Sequence, residues 1–109
     1  MNIQAFTPGL GPAVRLLKAL ANERRLMILC ALGEGERSVG DLAARVGLGQ
    51  SALSQHLAKL REDGLVVTRR CAQTIFYSLA SREAAEVIAV LAGLYCPADT
   101  HTTDGDFPP

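Results

Sequence analysis

The sequence predicts a mainly helical single domain with one β-hairpin near its C-terminal end, and three observations carry that prediction. Apolar residues recur at helical spacing through four segments between Pro12 and Asp63, each bounded by Gly, Pro or a capping residue. LVVTRRC and TIFYSLA, rich in β-branched and aromatic residues, then flank a short Ala72-Gln73 connection and read as a hairpin. A fifth helical pattern follows Ser81. The length of 109 residues suits one core rather than two, and the absence of Trp makes that core aliphatic.

Taken in order, the first dozen residues contain Pro8, Gly9, Gly11 and Pro12 and predict a loose arm, with order beginning near Pro12. PAVRLLKALA places Ala13, Leu16, Leu17 and Leu20 at helical intervals. Asn22 is placed to cap a second helix, NERRLMILCALGEG, which is apolar nearly all round from Leu26 to Leu32 and is expected to be buried on more than one side. On that reading Leu26, Leu29, Cys30 and Gly33 share a buried face. Ser38 and Asp41 resemble a capping box opening SVGDLAARVG, which Gly47 closes. The next helix, Gln50 to Asp63, follows after a minimal turn and ends at Gly64. In the last helix Ala84, Val87, Ile88, Leu91 and Leu94 repeat until Pro97 stops it.

The Gln50 to Asp63 helix raises a question. Leu53, Leu57 and Leu60 form its apolar stripe, while Ser51, Ser54, Gln55 and Ala58 lie opposite. An ordinary solvated helix carries Lys and Glu there, because Ser costs more in a helix than straight-chain residues do. Short hydrogen-bonding side chains suit base edges: Gln pairs with adenine, Ser meets bases or phosphates, and Ala allows close approach. Two short helices joined tightly, the second with such a face, then a hairpin and a closing helix, give the order α-α-α-α-β-β-α of a winged helix-turn-helix. The candidate DNA contacts are Gln50, Ser51, Ser54, Gln55, Ala58 and Lys59 on the helix, with Arg69, Arg70, Gln73 and Thr74 near the tip of the wing. The plain alternatives are a weakly amphipathic surface helix and solvated charge at a hairpin tip. His56, at the edge of the leucine stripe, is as suited to packing as to DNA.

The domain boundaries expected from this are a flexible arm over 1–11, a DNA-binding and dimerisation domain over 12–96 and a disordered tail over 97–109. Net charge is zero, but all eleven Lys and Arg precede Glu83 while Asp99, Asp104 and Asp106 lie in the tail, so the body is mildly basic. No apolar run approaches the roughly 18 residues needed to span a bilayer, and MNIQAFTPGLGP lacks a secretory pattern. The expected setting is the cytoplasm, without a membrane partner. Three cysteines, Cys30, Cys71 and Cys96, without a C-x-x-C pair, argue against a disulfide framework or a structural zinc site. No cofactor is expected, and neither a nucleophile-base arrangement nor a phosphate-cradling glycine loop is present.

LKALANERRLMIL, SVGDLAARVGLGQSALSQHLAKLREDGLVVTRR and FYSL closely resemble the ArsR/SmtB winged-helix repressors, over Ala13 to Cys96. LCAL around Cys30 and LYCP around Cys96 resemble the branch of that family that senses reactive sulfur species. The resemblance implies a homodimer on double-stranded operator DNA, with Cys30 and Cys96 as a redox-sensing pair and a persulfide or sulfide-derived oxidant as inducer. Two family patterns are missing: SVGDL replaces the Cys-containing arsenite motif, and EAAEVIAVLAGLY lacks the Asp and His ligands of zinc sensors. Cys71 falls outside the branch pattern. By local reading alone Cys30 is first a small core hydrophobe, and Cys96 sits at a helix C-terminus whose dipole disfavours thiolate. The alternative is a metal-responsive repressor using Cys96 with Asp99, His101 and Asp104. From another class comes a thiol-transfer enzyme with Cys71 or Cys96 as nucleophile.

Overall fold

Four helices carry side-chain caps at their start. In the computed structural model, which describes residues 2–96, Asn2, Asn22, Ser38 and Ser81 each accept a backbone N–H of the first turn, so the orphan donors there are satisfied by side chains. The helices are α1 (Ile3–Phe6), α2 (Leu10–Leu20), α3 (Glu23–Gly33), α4 (Val39–Val46), α5 (Gln50–Glu62) and α6 (Arg82–Tyr95), and a 3₁₀ turn, Thr7–Gly9, joins α1 to α2. The strands are β1 (Arg37–Ser38), β2 (Val66–Cys71) and β3 (Thr74–Leu79). Mainly helical with a strand-built wing, the architecture is the winged helix-turn-helix that the sequence predicts.

Two details correct the sequence reading. The chain is helical well before Pro12: Asn2 opens α1, and α2 begins at Leu10, because a proline in the first turn lacks only an N–H that has no intrahelical partner anyway. The wing also has a third strand, in the order β1-β3-β2, with Ser38 opposite Phe76 and Arg37 opposite Tyr77. The hairpin itself falls as expected, Cys71 opposite Thr74 across Ala72-Gln73, with Ala72 at φ 56° in the left-handed region.

The core is aliphatic. Ile28, Leu29, Leu42, Leu53, Leu57, Leu60 and Val66 are fully buried, drawing α3, α4, α5 and β2 onto one centre, with Ala84 and Ile88 of α6 closing it. Contrary to the expectation for an all-round apolar helix, α3 buries one side only: Ile28, Leu29 and Leu32 face the core, whereas Met27, Cys30 and Gly33 are exposed and Leu26 is half-buried. Most other exposed apolar residues fall into stripes, Val67 and Ile75 of the wing aside. Ile3, Phe6, Leu10, Val14 and Leu17 run along α1 and α2, and Val90 and Leu94 along α6, continued by Tyr95.

Guanidinium groups fix α3 against α4. Arg24 Nη1 donates to the Val46 carbonyl at 2.9 Å, capping the end of α4. Arg37, only 16% exposed, donates from Nε to the Ala31 carbonyl at 3.0 Å, from Nη1 to Asp41 at 3.0 Å and from Nη2 to Glu34 at 2.7 Å. Arg45 reaches the same Asp41 oxygen at 3.1 Å. These cations hold the Asp41 carboxyl below the ordinary carboxylate range, the Arg37 hydrogen bond contributing most.

Candidate nucleic-acid interface and thiol pair

The turn between α4 and α5 is set by Gly47, at φ 68°, whose N–H donates to the Ala43 carbonyl at 3.0 Å. Burial of Leu53, Leu57 and Leu60 then fixes the rotation of α5. Gln50, Ser51, Ser54, Gln55, Ala58 and Lys59 are all exposed on its outer side, and His56 is half-buried. Among the described residues, none of the Gln50, Ser51, Ser54 and Gln55 side chains has an intramolecular hydrogen-bond partner. Their donors and acceptors are free for a groove. Lys59 lies 3.8 Å from Asp63 in an exposed pair. At the helix end Gly64, at φ 75°, lets the Leu65 N–H reach the Leu60 carbonyl at 2.9 Å, and the chain turns into the wing.

The wing separates two arginines that are neighbours in sequence. Side chains alternate along β2, so Arg70 and Arg69 leave the sheet on opposite faces. Arg70 has no carboxylate within ion-pair distance among the described residues, and Gln73 and Thr74 are exposed at the turn. Arg69 instead donates from Nε and Nη2 to the two Glu36 oxygens at 2.8 Å each, and its guanidinium carbon stands 4.8 Å from the Phe76 ring centroid. Sequence reading grouped Arg69 with the tip residues and overlooked Glu36 altogether. Nothing local could have paired residues 33 positions apart.

All three cysteines are free and exposed. Cys30 lines a cleft of about 550 Å³ beside Leu26, Met27, Ala31 and Val46, with Glu23, Glu34 and Arg45 at its margin. Partial burial pushes its thiol pKa up, and charge on Cys96 and Glu34 adds to the rise. Cys96, the C-cap of α6, therefore stands within electrostatic reach of Cys30 in the same chain, whereas Cys71 sits apart at the wing tip. Among the described residues no group of three or more His, Cys, Asp and Glu is arranged to hold a metal ion. Asp99, His101 and Asp104, invoked for the metal alternative, lie outside the described residues. No helix among them is long and apolar enough to cross a membrane.

A helix-turn-helix with a free polar reading face, followed by a wing, defines a DNA-binding regulator. Residues 22–68 match the family described as "Bacterial regulatory protein, arsR family", and the chain belongs to that family: it is an ArsR-type DNA-binding transcriptional regulator, not an enzyme. It is 58% identical over 99 residues to the transcriptional activator HlyU of Vibrio cholerae serotype O1, covering 91% of this chain and 92% of HlyU. The structure of reduced HlyU from Vibrio cholerae superposes with a TM-score of 0.82 at 57% identity, over 86% of this chain and 99% of that one. The transcriptional repressor BigR from Xylella fastidiosa gives a TM-score of 0.84 at 41% identity, over 90% and 100%. A homodimeric winged helix-turn-helix DNA-binding domain from Mycobacterium bovis gives 0.71 at 35% identity, over 81% and 82%.

Proposed function

We propose that the chain is a homodimeric, dithiol redox-sensing repressor that leaves its operator when Cys30 and Cys96 become linked. The observation that carries this reading is a pair of exposed thiols, one on α3 and one ending α6, with the charge of Cys96 felt at Cys30. The exposed stripes on α2 and α6 supply a two-fold contact, and the Mycobacterium bovis relative is a homodimer. A dimer presents two copies of α5 to major grooves about one helical turn apart. Relatives are named both as activator and as repressor. Occupying an operator serves either sign, and repression is the simpler.

The inducer proposed is a persulfide or another sulfane-sulfur donor. The Cys30 thiolate attacks the outer sulfur of RSSH, RSH departs, and Cys30 carries –SSH; the Cys96 thiolate then attacks the inner sulfur and expels HS⁻, leaving a disulfide. With a trisulfide RSSSR, two thiols give a Cys–S–S–S–Cys bridge and two RSH. A direct disulfide needs Cα atoms within about 7 Å, and the longer bridge spans more. A coupling of about 1–3 kcal/mol lowers operator affinity roughly 5- to 150-fold. The experiment is operator affinity with and without persulfide for wild type, Cys30→Ser, Cys96→Ser and Cys71→Ser, with mass spectrometry of the product. A response that outlives Cys30 or Cys96, or that depends on Cys71, sinks this reading.

A further inference from the structure

Glu36 ends the loop between α3 and β1, and no role described above uses it. Its carboxylate receives the full fork of Arg69, both bonds at 2.8 Å, and that hydrogen bonding holds its pKa below the ordinary glutamate range. Registers place Ser38, Phe76 and Arg69 in one row across the sheet, with Phe76 on the middle strand. Arg69 thus leaves the outer strand β2, passes over the Phe76 ring at 4.8 Å and ends on the segment that leads into the helix-turn-helix. Arg69 thus has a carboxylate to balance its charge, with its Nε–H and one Nη2–H committed to the fork and one guanidinium face on the ring. Arg70, on the opposite face, does not.

We infer that Arg69 is a positioning residue and not a phosphate contact: the Glu36–Arg69 pair clamps the wing to the opening of the helix-turn-helix, fixing where Arg70 stands relative to the reading face of α5. The inference rests on the reading that wing and α5 meet DNA together. An exposed ion pair contributes little to stability by itself, so the clamp acts through geometry. Glu36 adjoins Arg37, whose side chain is anchored to α3 and α4, so the wing is fastened to a segment tied to both helices. Losing either partner therefore loosens the wing without removing a phosphate contact.

The test uses the full chain and a duplex that the wild-type protein selects from a random-sequence pool, titrated by fluorescence anisotropy over a range of salt. Glu36→Gln is expected to lower affinity about two- to fivefold, with the log–log salt dependence parallel to wild type. Arg69→Lys, which keeps the charge but not the fork, is expected to lose as much. Arg69→Glu loses more, and Glu36→Arg in the same chain recovers affinity at least to the Glu36→Gln level. Arg70→Gln, by contrast, flattens the salt slope. Circular dichroism at each titration temperature confirms that every variant is folded. Higher affinity in Glu36→Gln, a flattened slope in Arg69→Gln matching that of Arg70→Gln, or no recovery in the exchanged pair overturns the clamp. A wild-type chain with no affinity for any duplex overturns the underlying reading as well.

Discussion

Replacing Leu94 with Ala is expected to break the dimer before it harms the fold. Leu94 is 70% exposed in the single chain, on the last turn of α6, and is not among the buried residues of the core. Full burial of a leucine is worth about 1.5–3 kcal/mol, and its exposed fraction, less the Cβ that alanine keeps, leaves about 1–1.5 kcal/mol for an interface to gain. Two-fold symmetry presents the residue twice, so the variant costs the dimer about 2–3 kcal/mol, a roughly 30- to 150-fold rise in its dissociation constant. Leu17→Ala, at 58% exposure on α2, should act in the same direction and somewhat less. Sedimentation equilibrium reads the constant directly, and far-UV circular dichroism shows whether the protomer is intact. Operator affinity should fall with the dimer at low protein concentration and recover at high. A folded Leu94→Ala chain with an unchanged dimer constant would refute the assignment of the α2 and α6 stripes to the two-fold contact.

Gln55→Ala should cost specific binding about 1–3 kcal/mol per half-site and spare nonspecific binding, with smaller losses for Ser51 and Ser54; an unchanged specificity ratio removes Gln55 from the reading set. Arg70→Gln should reduce the salt slope by about one unit per protomer, and a constant slope leaves the wing off the phosphates. Because Glu34 helps to raise the Cys30 pKa, Glu34→Gln should lower it and speed iodoacetamide labelling of Cys30 at neutral pH, read by site-resolved mass spectrometry; an equal rate dismisses that charge. Asp41, its pKa depressed in the fold, stabilises fully above the unfolded carboxylate pKa of about 3.9, and that stabilisation is lost as pH falls through the folded value. The gap in denaturation midpoint between wild type and Asp41→Asn should therefore be widest near neutrality and close in acid; a gap independent of pH contradicts the ion-pair origin.

What the sequence made legible was local. Ser38 and Asp41, Gly47, the leucine stripe of α5 and Gly64 each speak through residues within one turn, and periodicity alone turned Gln55 and Ser54 outward. The features it hid depend on distant partners. β1 is two residues long and exists only because β3 lies beside it. Arg24 caps a helix 22 residues away, and Arg69 finds Glu36 across a sheet. The exposure of Cys30 was hidden for another reason: a helix apolar all round declares that it will be covered, not by what, and here one chain covers only the Ile28 and Leu29 side. The helical start before Pro12 depended on a single cap, Asn2, outweighing a run rich in Gly and Pro.

The distribution of polar contacts bears on how a bridge at Cys30 would be felt by DNA. Arg37 donates to the carbonyl of Ala31, the residue after Cys30, and to Asp41 in the first turn of α4, while Arg24 closes the far end of α4. With β1 paired to β3 as well, α3, the helix-turn-helix and the wing form one hydrogen-bonded body. Among the described residues α6 has no hydrogen bond or ion pair to that body, beyond the backbone that joins it to the wing; Ala84 and Ile88 hold it by apolar packing. Apolar packing permits the small sliding of one helix past another that directional bonds resist. Where linking Cys30 to Cys96 requires movement, α6 is therefore the element that yields, and the reading head stays intact. Since Val90 and Leu94 lie on α6, the displacement would alter the two-fold contact, and with it the separation of the two α5 helices. An oxidised chain should accordingly lose preference for the native half-site spacing while each protomer keeps its preference for the half-site sequence, and operators with altered spacers would separate this mechanism from one in which oxidation unfolds the reading head.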